Sequence, residues 1–528
     1  MKMKFLFLSL LLICGFYSCK RELEQPSWEV GVVGPVFHSS LGLNDLLADS
    51  LIQVNPDSSI TLVYSGNIYK LALDTLLNLP DTTIADTFQL PAIVPSVNVA
   101  PGAQLFSQTD EQHFNAQGVE LTQIDLERGF CYVTVFSTID QPVDFTYEIL
   151  SATKNGNHFS TVITVPAGSV ANPSFTTSVL DLQGYSFDMI GQSGTDFNAY
   201  STKIVIRMSN QAQPTQVHNY DKVIISSTYS DLFPSYAQGY FGHRTESIPG
   251  ESTAFDLFEK IISGSIDINQ VDVNLVIRNY VGADARITIQ QLQASRGATS
   301  IDLNHSIIGS TININRATDP NGYPVPYNYS VHMDNGNSNI DQIIELLPTQ
   351  FTTSLEMEIN PLGNVAAHHD FIYGSHTVEA DLNVELPLSL IANELTLVDT
   401  LHLSLSKGEN GYVTEGNFTL DIENGFPFAG DLQLYFMDGN GTPTDSIVVP
   451  NSFSAGITNG SNIVIANSHS QIQVHLNTSQ MDRLYAGDDV LLKVKFSTSS
   501  LLQHVDIYDY YKINIDLRGN FNYHIGKP

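Results

Sequence analysis

The chain has 528 residues, 42% hydrophobic and 15% charged, a balance that excludes global disorder and supplies apolar material for about three or four cores. Its formal charge of −32, from 55 acidic against 23 basic residues, repels polyphosphates, and no run of Lys and Arg crosses the body of the chain, so no nucleic acid partner is expected. The three cysteines, Cys14, Cys19 and Cys131, cannot make a disulfide framework, which leaves buried area as the source of stability.

In chain order, the first element is a leader. Lys2 and Lys4 form a positive start, and Phe5 to Cys14 is an apolar run of signal-peptide length, shorter than the roughly 20 residues that a spanning helix needs. Ser18 then places a small residue directly before Cys19, followed by the polar Lys20-Arg21-Glu22. This segment resembles the lipobox of Bacteroidota-type bacterial lipoproteins, with Phe16 and Tyr17 standing where Leu and a small residue are usual. The resemblance implies a signal peptide over 1–18 cut after Ser18 by signal peptidase II, a diacylglycerol or acyl lipid on Cys19, and an outer-membrane address. Two or more acyl chains anchor stably where one does so only marginally, so such a cysteine suffices as an anchor. Lys20 and Arg21 precede Glu22 and Glu24, which leaves the periplasmic and surface faces both open.

Behind a polar tether at 19–27 the pattern is all-β, read as tandem antiparallel β-sandwich-like domains with a few short helices. An N-terminal β-hairpin region covers 28–100. Within it the run Ile60 to Tyr64, the turn Ser65-Gly66-Asn67 and the run Ile68 to Leu71 read as a hairpin, and the Pro-rich stretch Pro91 to Pro101 reads as a linker. The context Gly129-Phe130-Cys131-Tyr132-Val133 reads as an interior strand with Cys131 packed in a core. Three sandwich-like domains follow at 101–240, 241–410 and 411–528, marked by a weak repeat of strand, polar kink and alternating strand. Its copies start at Val133, Leu275 and Phe418, spaced by about 145 residues, and each second strand alternates with period two. Phe255 to Ile262 reads as a short helix, and Asn339 to Leu347 as another that stops at Pro348. The longest alternation, Val378 to Leu390, contains Pro387, which cannot donate to a ladder and so places the strand at an edge or breaks it there.

The chemistry in the chain is sparse. It contains no G-x-S-x-G, H-E-x-x-H, C-x-x-C, P-loop or dinucleotide fingerprint, and enzymatic activity is not expected. His368-His369-Asp370 is dense in metal-ligating types, but neighbours on an extended chain point to opposite sides. Asp438, Asn440 and Asp445 offer oxygen ligands in a Gly-rich turn that would suit Ca2+, though without a full ligand register. Five Asp-Ser/Thr-aliphatic triplets, centred on Ser50, Thr75, Thr82, Thr400 and Ser446, resemble the O-glycosylation sites of exported Bacteroidota proteins.

The reading that follows is a membrane-anchored cell-envelope lipoprotein acting as a non-catalytic structural or binding protein, as a scaffold or in adhesion, with no cofactor beyond its lipid. Two alternatives come from other classes. One is a lipid or glycolipid carrier with an apolar groove lined by long amphipathic strands, and the other is a polysaccharide-binding or polysaccharide-processing protein. The expected partners are the membrane, through the lipid, and an envelope protein, glycan or lipid.

Overall fold

A computed structural model describes residues 27–42, 51–258, 261–401, 407–408, 411–438, 440–486 and 489–526. The leader with Ser18 and Cys19, most of the tether, and Ser50 therefore lie outside the described residues. The fold is all-β, built from antiparallel sheets with short helices between them. No helix among the described residues is long and apolar enough to cross a membrane.

The chain divides into two compact units that are not consecutive segments. Of the described residues, a terminal unit takes those within 27–62, 261–269 and 387–526, and a middle unit takes 63–258 and 270–386. The consecutive boundaries read from the sequence are thus crossed by the real ones. The cause is a pairing that no local pattern announces: strand Trp28–Gly42 runs antiparallel to Lys512–Ile525, with Trp28 opposite Ile525 and Gly42 opposite Lys512.

In the terminal unit a four-stranded sheet (28–42, 512–525, 411–424, 468–476) accompanies a second sheet built on 261–268, 389–401, 489–498, 428–437 and 443–453. Ile422, Leu432, Phe453, Ile472 and Val474 make one buried cluster from strands of both sheets. Helix Thr478–Ala486 buries Met481 and Leu484 beside Phe436 and Val490.

The middle unit holds two sandwich-like bodies. In the first, a ten-stranded sheet folds over on itself, so that strands Thr82–Gln89, Lys222–Tyr240, Glu120–Ser137 and Ser174–Asp181 form one layer. Strands Gln104–His113, Ala199–Met208, Val143–Lys154 and Asn157–Val165 form the other. Contacts across the interior fix this closure: the hydroxyls of Tyr147 and Tyr229 lie 2.8 Å apart, and Tyr229 packs edge-on to Tyr200 and Phe114. Cys131 is fully buried beside them, and burial pushes its thiol up to about 12, which makes it an inert core residue. In the second body, strands 272–279, 327–334 and 378–387 face strands 285–296, 350–359 and 244–254 across a core that includes Leu275, Leu382, Ile287 and Met357.

The weak sequence repeat corresponds to a recurring crossing between layers. In the second and third copies the crossing turns on one fully buried asparagine. Asn279 Oδ1 accepts the Val281 N–H at 2.9 Å, while its Nδ2 donates to the Ala283 and Asn315 carbonyls at 3.1 and 2.8 Å. Asn424 repeats the arrangement, accepting from Phe426 N–H at 2.9 Å and donating to Phe428 and Ser454 carbonyls at 2.8 and 2.9 Å. In the first copy Ser137, also buried, keeps only the acceptor bond, from Ile139 N–H at 3.2 Å. A chain leaving one sheet for the facing one exposes backbone groups in the interior, and an amide side chain can satisfy both donors and acceptors there.

Three local expectations are corrected and two hold. Ile60–Lys70 is one continuous strand rather than a hairpin, because Gly66 stays extended under the Tyr64 ring and Asn67 is bonded to Ala380 and Asp381 on the adjacent strand. The stretch read as a linker contains strand Ser96–Val99, paired with Thr215–His218. Phe255 and Phe258 do not start a helix; both rings are buried, Phe255 against Tyr64 and Phe351, and strand Ile261–Ile268 begins shortly after. The long alternation ends at Pro387, and a separate strand, Ser389–Leu401, follows one residue later. Its first part is flanked on both sides and is not an edge. The helix expected at 339–347 is present as Ile340–Glu345, with Ile340, Ile343 and Ile344 buried.

Candidate functional site

The outer face of one layer of the middle unit is the strongest candidate for a binding surface. On strand Glu120–Ser137 the odd residues Cys131, Val133, Val135 and Ser137 point into the core, so the even ones must face outward. Strand register then builds three rows across four strands. Tyr132 stands beside Val179 and Thr228, with Thr83 next; Thr134 beside Thr177 and Ser226, with Ala85 next; Phe136 beside Phe175 and Ile224, with Thr87 next.

None of these twelve residues carries a charge, on a chain whose formal charge is −32. The large side chains are nonetheless accessible: Phe175 is 62% exposed, Val179 57% and Tyr132 41%. Phe136 and Phe175 pair at 5.5 Å between ring centroids. Threonines tie the strands between them, Thr83 to Thr228 at 2.9 Å and Thr134 to Thr177 at 3.0 Å. A contiguous exposed apolar area marks an interaction surface more often than scattered apolar residues do. What the geometry offers is a flat, neutral platform of aromatic rings and hydroxyls with no group poised for chemistry.

Sequence reasoning missed this face although its signal was present. The context Gly129 to Val133 reads as an interior strand, and apolar residues fall on both parities of Phe130 to Phe136. The structure buries one side only, and the second apolar row is the patch.

The residues singled out from sequence are placed as follows. Asp438 Oδ1 accepts the N–H groups of Asn440 and Thr442 within its own turn, whereas Asp445 is engaged by Gln480 Nε2 at 2.8 Å and by Ser446 N–H. These bonds hold the Asp445 carboxyl below the usual range, the Gln480 contact first. His368, His369 and Asp370 diverge. His368 Nε2 meets Glu120 Oε2 at 2.6 Å, His369 Nδ1 meets the Ala367 carbonyl at 2.8 Å, and Asp370 is buried against Asn360, Phe241 and Arg316. Of the triplet hydroxyls, Thr82 is half-buried and donates to the Pro80 carbonyl at 3.2 Å, while Thr400 and Ser446 lie exposed on strands. Thr75 falls in the short helix Leu73–Leu76, and its side chain lies outside the described set.

The middle unit also has a cleft of about 400 Å³ whose lining includes Tyr69, Arg244, Glu246 and Glu251, with Asn78 and Gln117. Charged and amide groups dominate the named polar lining, which suits water or a polar guest better than acyl chains.

No family model matches this chain, and no curated protein matches it. Among solved structures, a Parabacteroides distasonis protein provisionally described as secreted aligns at 15% identity with a TM-score of 0.25, over 52% of this chain and 82% of its own. The cowpea mosaic virus top component aligns at 10% identity and TM-score 0.16, over 61% and 91%. The infectious bursal disease virus VP2 subviral particle aligns at 10% identity and TM-score 0.11, over 88% and 84%. Agreement at this level carries nothing about what the chain does.

Proposed function

We propose that the chain is a non-catalytic lipoprotein of a Bacteroidota-type outer membrane, held by a lipid on Cys19, whose ectodomain docks with a second copy of itself through the neutral face of the middle unit. The observation that carries this reading is the uncharged three-row patch that includes the Phe136–Phe175 pair, set in a strongly acidic chain. Two such chains repel one another over most approaches, and least where neither presents a charge. A patch of aromatic rings and threonines is chemically complementary to itself, as a two-fold contact requires.

Strand and row spacings give this patch a footprint of roughly 400 Å², about half the area per partner of a standard interface. Docking free in solution is then weak. Confinement of both copies to one membrane raises their effective concentration, so a weak face becomes useful when the chain is anchored. The lipid and the patch support one another in this reading.

The polar lining of the cleft speaks against the carrier alternative. A neutral polysaccharide is the second reading, favoured by Tyr132 and by the hydroxyls of Thr83, Thr134, Thr177 and Thr228. Sedimentation analysis of a soluble chain beginning at Lys20 tests the docking. The expected result is concentration-dependent dimerisation, with a dissociation constant on the order of 0.1 mM, consistent with so small a footprint. Phe175→Asp, which introduces a charge at an exposed position, should weaken it at least about tenfold. A monomer up to about 1 mM, or a dimer that Phe175→Asp leaves intact, would overturn the proposal; retardation of the monomer by a neutral polysaccharide would favour the second reading.

A further inference from the structure

At one rim of the middle unit, side chains with metal-ligating donors converge from two parts of the chain. Glu111 and His113 stand two residues apart on strand Gln104–His113, so the strand repeat puts both on one side. Asp196 arrives from the turn that precedes strand Ala199–Met208, whose Ala199 is registered opposite His113. One donor atom from each of the three lies within 4.8 Å of the others, and His113 Nε2 and Asp196 Oδ2 are 3.0 Å apart.

The groups are held from behind. Gln192 N–H donates to Glu111 Oε2 at 2.6 Å, and Phe197 N–H donates to Asp196 Oδ1 at 2.8 Å, while Asp196 Oδ2 is the oxygen that meets His113. Backbone donors behind ligating carboxylates orient them in this way in metal sites. Asn198 fastens the turn: its Oδ1 accepts Leu121 N–H at 2.8 Å and its Nδ2 donates to the Val119 carbonyl at 2.7 Å. His113 is exposed and both carboxylates are half-buried, so an ion can reach the site and replace the hydrogen bond between His113 and Asp196.

We propose that Glu111, His113 and Asp196 form a binding site for a divalent metal of the zinc or manganese class, with its remaining coordination positions open. The donor set decides the class. One imidazole nitrogen with two carboxylates suits borderline first-row ions, whereas calcium and magnesium favour all-oxygen shells and Cu(I) favours sulfur. Two carboxylates with a neutral imidazole carry two negative charges, which a dication neutralises. A metal here would also reinforce the tie between the turn at 190–198 and the edge strand, which the His113–Asp196 and Gln192–Glu111 bonds already make.

Titration calorimetry with Zn2+ on the soluble chain beginning at Lys20 tests the site. The chain has 15 histidines, so binding alone does not locate the ion. A one-to-one event in the micromolar range is expected, weakened at least about tenfold by His113→Ala and by Asp196→Asn, in line with the loss of one of three protein ligands. Circular dichroism and melting without metal should match the parent chain, and Glu111→Gln gives a third variant if either of the others melts early. No binding below about 100 μM, or binding of unchanged affinity and stoichiometry in all three variants, would overturn the assignment.

Discussion

Asn424→Ala is expected to lower the stability of the terminal unit by about 3 to 5 kcal/mol. The substitution removes little apolar contact but orphans three backbone groups at once: the Phe426 N–H and the carbonyls of Phe428 and Ser454. Asn424 is 1% exposed, so water cannot readily replace it. A buried donor or acceptor left unmade costs roughly 1 to 3 kcal/mol, and partial relaxation keeps the total below the simple sum. Asn279→Ala should have a similar cost in the middle unit, while Ser137→Ala, which loses one bond, should cost only about 1 kcal/mol. Because two compact units need not unfold together, denaturant curves should be read with hydrogen exchange, which assigns the loss to a unit. A change below about 1 kcal/mol for Asn424→Ala would show that the crossing is held by something else.

Asp370→Ala is expected to cost the middle unit about 3 kcal/mol. The carboxylate is 1% exposed; its Oδ2 accepts from Asn360 Nδ2 at 2.7 Å and from Phe241 N–H at 3.3 Å, and its Oδ1 lies 3.3 Å from Arg316 Nη1. Truncation strands the Phe241 N–H and takes one of the two acceptors of Asn360 Nδ2, which keeps the Gly242 carbonyl at 3.3 Å, and Arg316 keeps Asp284 at 2.9 Å, so the cost stays below that of an isolated buried charge. Burial raises the Asp370 carboxyl above its ordinary range, opposed by the bonds from Asn360 and Phe241 and by the Arg316 charge.

The folded state therefore binds this proton more tightly than the unfolded one. Its contribution to stability is fully present below the unfolded value near 3.9 and is lost as pH rises through the folded value. Against Asp370→Asn, whose side chain does not titrate, the parent chain should gain relative stability on acidification from neutral pH towards about 4. A relative loss over that interval would contradict the sign.

What the sequence disclosed follows from which interactions are local. Period-two alternation marked the strands, and Pro348 and Pro387 marked real stops. The repeat of strand, kink and strand marked where the chain changes layer, although nothing in one dimension shows that the amides of Asn279 and Asn424 bridge two layers there. Pairing of Trp28–Gly42 with Lys512–Ile525 depends on ends that meet only in space, so the unit boundaries were not legible. The Glu111-x-His113 spacing is visible on a strand, but Asp196 joins it only through the register of Ala199 with His113. The neutral face was not legible for a physical reason: a hydrophobic row looks the same in sequence whether a second layer covers it or solvent does.

The proposed lipid on Cys19 is read from its immediate neighbours alone, and the proposal of an anchored envelope protein rests on it. The most direct measurement is the mass of the N-terminal peptide of protein extracted from membranes. The expected peptide begins at Cys19 and carries a diacylglyceryl group on its sulfur. A first residue other than Cys19, or a Cys19 without lipid, would contradict the account.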